Sequence, residues 1–172
     1  GNAGDDWLFA LGGNDTLVGG LGDDYYSVAS IFDVVDENRY GEIEYPFLGG
    51  QDTVIASVDY TLDGGADQVE VLILTGTAIR GTGNIGLNTI TGNGQANWLS
   101  GMESADTLYG GAGGDTLYGG TGIDEAYGGD GKDELHGGAD TGADLLYGGA
   151  NDDLYYVETG DIVQDGLLGG DD

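Results

Sequence analysis

The chain has no cysteine, one proline (Pro46), one histidine (His136) and only three basic side chains, Arg39, Arg80 and Lys132. Without thiols there is neither a disulfide framework nor a thiolate metal site. One imidazole cannot assemble a zinc site, so His136 is expected as an exposed strand residue. Three basic groups against 32 acidic ones give a formal net charge of −29, which disfavours nucleic acid and anionic membrane and makes cations the natural partners. No apolar run approaches eighteen residues, so no membrane insertion is expected. His-Glu-x-x-His, Gly-x-Ser-x-Gly, a Walker-type loop and a cysteine nucleophile are all missing, and with them the main routes to an enzyme. Paired carboxylates could in principle hydrolyse glycosides, but so many acids on a repetitive turn make any chosen pair arbitrary.

Glycine is abundant instead: 38 of 172 residues, about three times ordinary usage. Eleven tyrosines, two tryptophans and 39% hydrophobic residues are too much apolar surface for an acidic disordered tail, and point to conditional folding. The glycines are periodic. Gly110-Gly111-Ala112-Gly113-Gly114-Asp115-Thr116-Leu117-Tyr118 is followed by Gly119-Gly120-Thr121-Gly122-Ile123-Asp124-Glu125-Ala126-Tyr127 and by Gly128-Gly129-Asp130-Gly131-Lys132-Asp133-Glu134-Leu135-His136. The next unit carries two extra residues and ends Asp144-Leu145-Leu146-Tyr147, and Gly148 to Tyr156 surrounds Asp153. At the other end, units 1–9, 10–18 and 19–27 put Asp6, Asp15 and Asp24 at the sixth place. Backwards from Asp106 the period persists, with Asn97 and Asn88 where the carboxylate stood.

These units resemble the GGxGxDxUx nonapeptide of the RTX (repeats-in-toxin) family, closely over 1–27 and 101–156 and loosely over 83–100. The resemblance implies an all-β fold, a right-handed parallel β-roll (β-solenoid) with calcium ions between stacked Gly/Asp-rich turns.

The residues support the same reading on physical grounds. Glycines at places one, two and four permit positive φ and close backbone approach, so six residues make a turn with inward-facing carbonyls. The last three make a short strand whose eighth place lines the core: Leu108, Leu117, Ala126, Leu135 and Leu146. Two units close one coil, so residues 18 apart stack about 4.8 Å apart, Asp106 over Asp124 and Asp115 over Asp133. Two carboxylates at about 5 Å repel by roughly 3 kcal/mol at an effective dielectric near 20. A hard divalent cation removes that repulsion and accepts an all-oxygen ligand set, which fits calcium. The expected metal ligands are Asp6, Asp15, Asp24, Asp106, Asp115, Asp124, Asp133, Asp144 and Asp153, with multiple Ca2+ as the cofactor. For each, the alternative is an Asx-type turn former that caps its own loop. The insertion before Asp144 either bulges outward harmlessly or displaces its carbonyls. Asn88 and Asn97 are expected as metal-free turns, and Asp5, Asp23, Asp130 and Asp152 as solvated charges.

The sequence divides into an N-terminal nonapeptide block (1–27), a surface excursion (28–51), non-nonapeptide strands and linking coils (52–82), the main nonapeptide roll (83–156) and the start of a further linking segment (157–172). Val54 to Leu62 and Val69 to Leu74 read as strands, expected on wider coils. A larger period is visible too. Gly19 to Val28 matches Gly148 to Val157 at an offset of 129, Asp33-Val34-Val35 recurs as Asp161-Ile162-Val163, and Leu48 to Asp52 recurs as Leu168 to Asp172. The chain is therefore expected to be about one and a third periods of a longer tandem array.

Tyr109, Tyr127 and Tyr147 recur on one strand face, and Tyr118, His136 and Tyr156 on the other, as aromatic ladders. Cross-strand packing is the expected role, with a contact surface for carbohydrate or a cell surface as the alternative. Open coil ends present strand edges that invite end-to-end self-association. The function expected is a non-catalytic calcium-binding structural or adhesive module that forms a surface layer or filament. The rivals are the tail of a secreted protease, lipase or epimerase, and a passive calcium buffer. The resemblance implies type I secretion from Gram-negative cells, with folding outside on extracellular calcium.

Overall fold

The computed structural model describes residues 3–37, 50–62 and 69–164. Residues 38–49 of the expected excursion, 63–68 of the linking coils and 165–172 of the last segment lie outside the described residues.

A nine-stranded sheet contains β1 (Trp7–Phe9), β3 (Tyr25–Val28), β5 (Thr53–Ala56), β7 (Val71–Leu74), β9 (Thr89–Thr91), β11 (Thr107–Ala112), β13 (Glu125–Asp130), β15 (Leu145–Ala150) and β17 (Ile162–Gln164), in that order. A six-stranded sheet contains β6 (Tyr60–Thr61), β8 (Arg80–Thr82), β10 (Trp98–Glu103), β12 (Thr116–Thr121), β14 (Glu134–Gly138) and β16 (Leu154–Tyr156). β2 (Thr16–Leu17) pairs separately with β4 (Val34–Val35). Odd strands fall in one sheet and even strands outside it, and every pairing is parallel, so the chain winds as a β-solenoid of about eight turns. Among the described residues no helix is long and apolar enough to cross a membrane.

The nonapeptide sets the register. Leu108 pairs with Ala126 and Leu99 with Leu117, each 18 residues on, and the two extra residues before Asp144 stretch one step in each sheet to 20, from Ala126 to Leu146 and from Leu135 to Tyr155. Strand alternation then buries the eighth place: Leu108, Leu117, Ala126, Leu135 and Leu146 are fully buried between half-buried or exposed neighbours, and Leu99 is fully buried beside the buried Ser100. Each such leucine contributes about 1.5–3 kcal/mol, the main force holding successive coils together. The same row runs from Tyr26 through Val54 and Leu72, which lie outside the repeats, to Ile90.

Two departures concern 28–82. Within the expected excursion, Val34–Val35 pairs with Thr16–Leu17, so residues 31–37 still follow the solenoid. Over 52–82 the coils are not uniformly wider: Thr53, Val71 and Thr89 follow one another at 18 residues, while Tyr60 and Gly81 are 21 apart. Apolar side chains in the core row keep these coils in step where the glycine pattern is absent.

The outer faces carry the two ladders. Tyr109, Tyr127 and Tyr147 stack at centroid spacings of 5.0 and 4.6 Å. Tyr118, His136 and Tyr156 stack at 4.2 and 4.1 Å, and Trp98 joins that row at 5.4 Å. His136 lies on the strand face, its Nε2 2.8 Å from Glu134 Oε1.

Candidate calcium-binding ladders

The sixth-place residue immediately precedes each strand, so strand register fixes where its carboxylate goes. In every rung of the main roll the carboxylate reaches back to the preceding coil and accepts a backbone N–H there. Asp106 N–H donates to Asp124 Oδ1 at 2.8 Å, Asp115 to Asp133 at 2.8 Å, Asp124 to Asp144 at 2.8 Å and Asp133 to Asp153 at 2.9 Å. Two parallel columns result. The first runs through Asp6, Asp24, Asp106, Asp124 and Asp144 beside the nine-stranded sheet. The second runs through Asp115, Asp133 and Asp153 beside the six-stranded sheet. Asp15, half-buried, stands apart from both, its N–H donating to Asp33 Oδ1 at 3.0 Å. The insertion before Asp144 bulges outward: Asp140 accepts from Gly122 N–H and Gly142 N–H, and Asp144 keeps its rung.

Only one oxygen of each carboxylate is used in this way. Oδ2 of Asp24, Asp106, Asp115, Asp124 and Asp133 is buried with no hydrogen-bond partner. Turn geometry explains why. Places two and four adopt positive φ, as at Gly111 (105°), Gly113 (132°), Gly120 (122°) and Gly122 (147°), which turns the backbone N–H groups of the turn away from Oδ2. The turns without that backbone behave differently. Asn88 Oδ1 accepts from Asn84 N–H and Asn97 Oδ1 from Asn93 N–H, both at 2.7 Å, while their amide groups donate to the carbonyls of Val69 and Ala78. Asp33 Oδ2 likewise accepts from Ala29 and Ser30 N–H. Asparagine turns are thus satisfied internally, and glycine-rich aspartate turns leave an anionic oxygen facing the interior.

The glycine at place one has a different task. A Cβ on Gly110 would lie 2.5 Å from Asp115 Oδ2 and 2.6 Å from the carbonyl oxygen of Gly128 in the next coil. Carboxylate and carbonyl oxygens therefore crowd one space that only glycine leaves open. An oxygen-only donor set of this kind suits calcium, which takes six to eight oxygens, and an unpartnered buried carboxylate oxygen needs a cation.

Electrostatics of the ladder point the same way. Burial, opposed in part by the accepted N–H, pushes Asp106 up to about 7 and Asp124 and Asp133 to about 6, and neighbouring carboxylates add to the rise. Burial raises Asp24, Asp115 and Asp144 as well. Without a cation the ladder resists its own charge.

Five acids in or beside these ladders escaped the sequence reading. Asp24 N–H donates to Asp52 Oδ1 at 2.8 Å and Asp52 N–H to Glu70 Oε2 at 2.8 Å, so the first column continues through Asp52 and Glu70 to Asn88. Counting back 18 from Asn88 reaches Glu70 and then Asp52, a signal hidden by the missing glycines. Asp33 follows Asp15, and Asp161 follows Asp144, whose N–H it accepts at 3.2 Å. Glu37 is half-buried, its Oε2 accepting from Gly20 N–H at 3.2 Å.

Fold and site together define a parallel β-solenoid whose repeated turns present carboxylate oxygens for a hard cation. The model of the RTX calcium-binding nonapeptide repeat matches four copies, at residues 1–27, 82–117, 109–141 and 139–161, more than half of the chain. The chain belongs to that family and is a calcium-binding repeat module. No curated protein and no solved structure gives a significant match.

Proposed function

We propose that this module is a non-catalytic structural element of a secreted tandem-repeat protein that folds when it meets extracellular calcium, with Asp106, Asp115, Asp124, Asp133, Asp144 and Asp153 as main ligands and Asp6, Asp15 and Asp24 serving the N-terminal block. One observation carries this reading: successive glycine-rich turns leave Oδ2 buried and unpartnered while Oδ1 is held by the preceding coil. Each coil supplies part of a cation's shell and needs the next coil to complete it, so binding and winding are coupled. A passive buffer would bind without gaining structure.

Assembly into a filament or surface layer is the further role we assign, through stacking of coil ends. The large internal period favours an array over the tail of a secreted enzyme, since the similarity between residues 19–37 and 148–165 runs past the nonapeptides. The test is far-UV circular dichroism from chelator to about 10 mM calcium, roughly ten times the upper end of the range for extracellular modules, with magnesium as control. A cooperative gain of β signal with calcium alone is expected. A chain already folded in chelator would remove the coupling, and sedimentation showing only monomers at high concentration with calcium would remove the filament.

A further inference from the structure

Glu37 breaks the repeat at its most constrained position. Thr16 pairs with Val34 and Leu17 with Val35, and extending that register by two sets Glu37 beside Gly19, at the first place of the next turn. Elsewhere in the nonapeptide turns of the main roll this place is glycine, because a Cβ would strike the sixth-place carboxylate. Here the coil from Asp24 to Asp52 spans 28 residues instead of 18, and a full carboxylate takes the space.

That carboxylate meets two others. Oxygens of Asp24, Glu37 and Asp52 lie within 4.8 Å of one another. Each group spends one oxygen on a backbone N–H: Asp24 Oδ1 on Asp6, Glu37 Oε2 on Gly20 and Asp52 Oδ1 on Asp24. Each has a second oxygen, Asp24 Oδ2, Glu37 Oε1 and Asp52 Oδ2, that is buried without a partner. Asp24, Asp52 and Tyr26 are all 0% exposed. The Tyr26 hydroxyl, also buried without a partner, crowds the same point beside Gly19 as Asp24 Oδ2. Among the described residues the ion pairs are Lys132 with Asp152 and His136 with Glu134, both remote from this cluster in the chain and in the fold.

We propose that Asp24, Glu37 and Asp52, with the Tyr26 hydroxyl, form a separate all-oxygen cation site that takes calcium, distinct in composition from the nonapeptide sites. Three side-chain carboxylates converge here, whereas a repeat turn offers aspartate oxygens and main-chain carbonyls. Affinity in oxygen-ligand sites rises with ligand charge, so this site fills first. Magnesium, which keeps its waters and demands a small octahedral shell, suits a dry interior poorly. The sequence carries a second copy of the set. Offsets of 129, 128 and 120 bring Asp24, Glu37 and Asp52 onto Asp153, Asp165 and Asp172, all acidic. Glu37 and Asp52 lie outside the residues matched by the repeat family while Asp24 and Tyr26 lie within them, so the site joins one nonapeptide aspartate to two acids that the repeat does not supply.

The experiment counts calcium bound to the full chain by equilibrium dialysis, and follows terbium emission sensitised by tyrosine at one equivalent per chain. Glu37→Gln, which keeps size and removes charge, is expected to bind one ion fewer than the parent. First-equivalent emission is expected to fall about fivefold in Glu37→Gln and in Tyr26→Phe, in line with loss of a charged ligand or of the neighbouring sensitiser. Asp115→Asn should keep it. If Glu37→Gln fails to fold, Glu37→Gly, which restores the glycine of the repeat, must show the same losses. An unchanged ion count and unchanged emission in the Glu37 variant would overturn the proposal. Terbium emission that persists while calcium produces no gain of β signal would instead overturn the coupled folding of the main roll and leave this site standing.

Discussion

The backbone N–H of Asp115 donates to Oδ1 of Asp133 across 2.8 Å, and Oδ2 of the same carboxylate is buried without a partner. One aspartate therefore joins two coils with one oxygen and offers the other to a cation. Asp133→Asn keeps the acceptor and removes the charge. The variant is expected to raise the calcium midpoint of folding by about tenfold, since ligand charge sets affinity in such sites. A circular dichroism titration of the variant beside the parent checks this, and an unchanged midpoint contradicts it.

The raised carboxylates give the calcium-free chain an unusual pH dependence. Asp106 at about 7 and Asp124 and Asp133 at about 6 hold protons in the folded state that the unfolded chain, near 3.8, has already lost. Their contribution to stability is therefore complete below the unfolded value and disappears as pH rises through 6 to 7. Calcium-stripped protein is expected to show more β signal at pH 5 than at pH 8. The lower value stays clear of the isoelectric point near 4.1, where aggregation would intrude. With saturating calcium the trend reverses, because protons then compete with the ion. More β signal at pH 8 than at pH 5 in stripped protein would refute the assignment.

Gly110 and Gly94 separate steric need from composition. A Cβ at Gly110 meets a carboxylate and a main-chain carbonyl, whereas nothing lies within 4 Å of one at Gly94. Gly110→Ala is expected to cost about 1–3 kcal/mol, the range for overpacking. Gly94→Ala should be neutral or stabilise by about 0.4–1 kcal/mol through the unfolded chain. Urea unfolding of both variants in saturating calcium measures the difference.

Met102 and Ser104 occupy places two and four of the turn before Asp106 with φ of 92° and 73°, where glycine stands in the following turns. Side chains in that region are strained by about 1–2 kcal/mol. Met102→Gly is expected to stabilise the calcium-loaded protein by about 1 kcal/mol, read as a raised Tm. A lowered Tm would mean that its half-exposed side chain contributes more by packing than its backbone loses.

Much of this was legible in the sequence because repetition made each inference many times over. The eighth-place core, the stacking of Asp106 on Asp124 and Asp115 on Asp133, and both tyrosine ladders follow from the period alone. Asp52 and Glu70 were hidden because the sheet carries the period there through Val54 and Leu72, whose apolar side chains hold register without glycine. Glu37 was hidden for another reason: its importance lies in contacts made across a 28-residue coil, which no local motif records. The difference between Asp33, satisfied by its own turn, and Asp124, left open, depends on backbone φ and could be seen only in three dimensions.

Tyr25–Val28 lies in the nine-stranded sheet, and its counterpart 129 residues later, Leu154–Tyr156, lies in the six-stranded one. From β3 to β16 the chain has made an odd number of sheet crossings, thirteen strands on. Were the larger period continued as a tandem array, equivalent surfaces of successive copies would point in opposite directions, and axial identity would need two copies. A ligand that recognises one face of such a rod would meet every second repeat, and a rod built this way would show alternate copies to its two sides without any change of sequence.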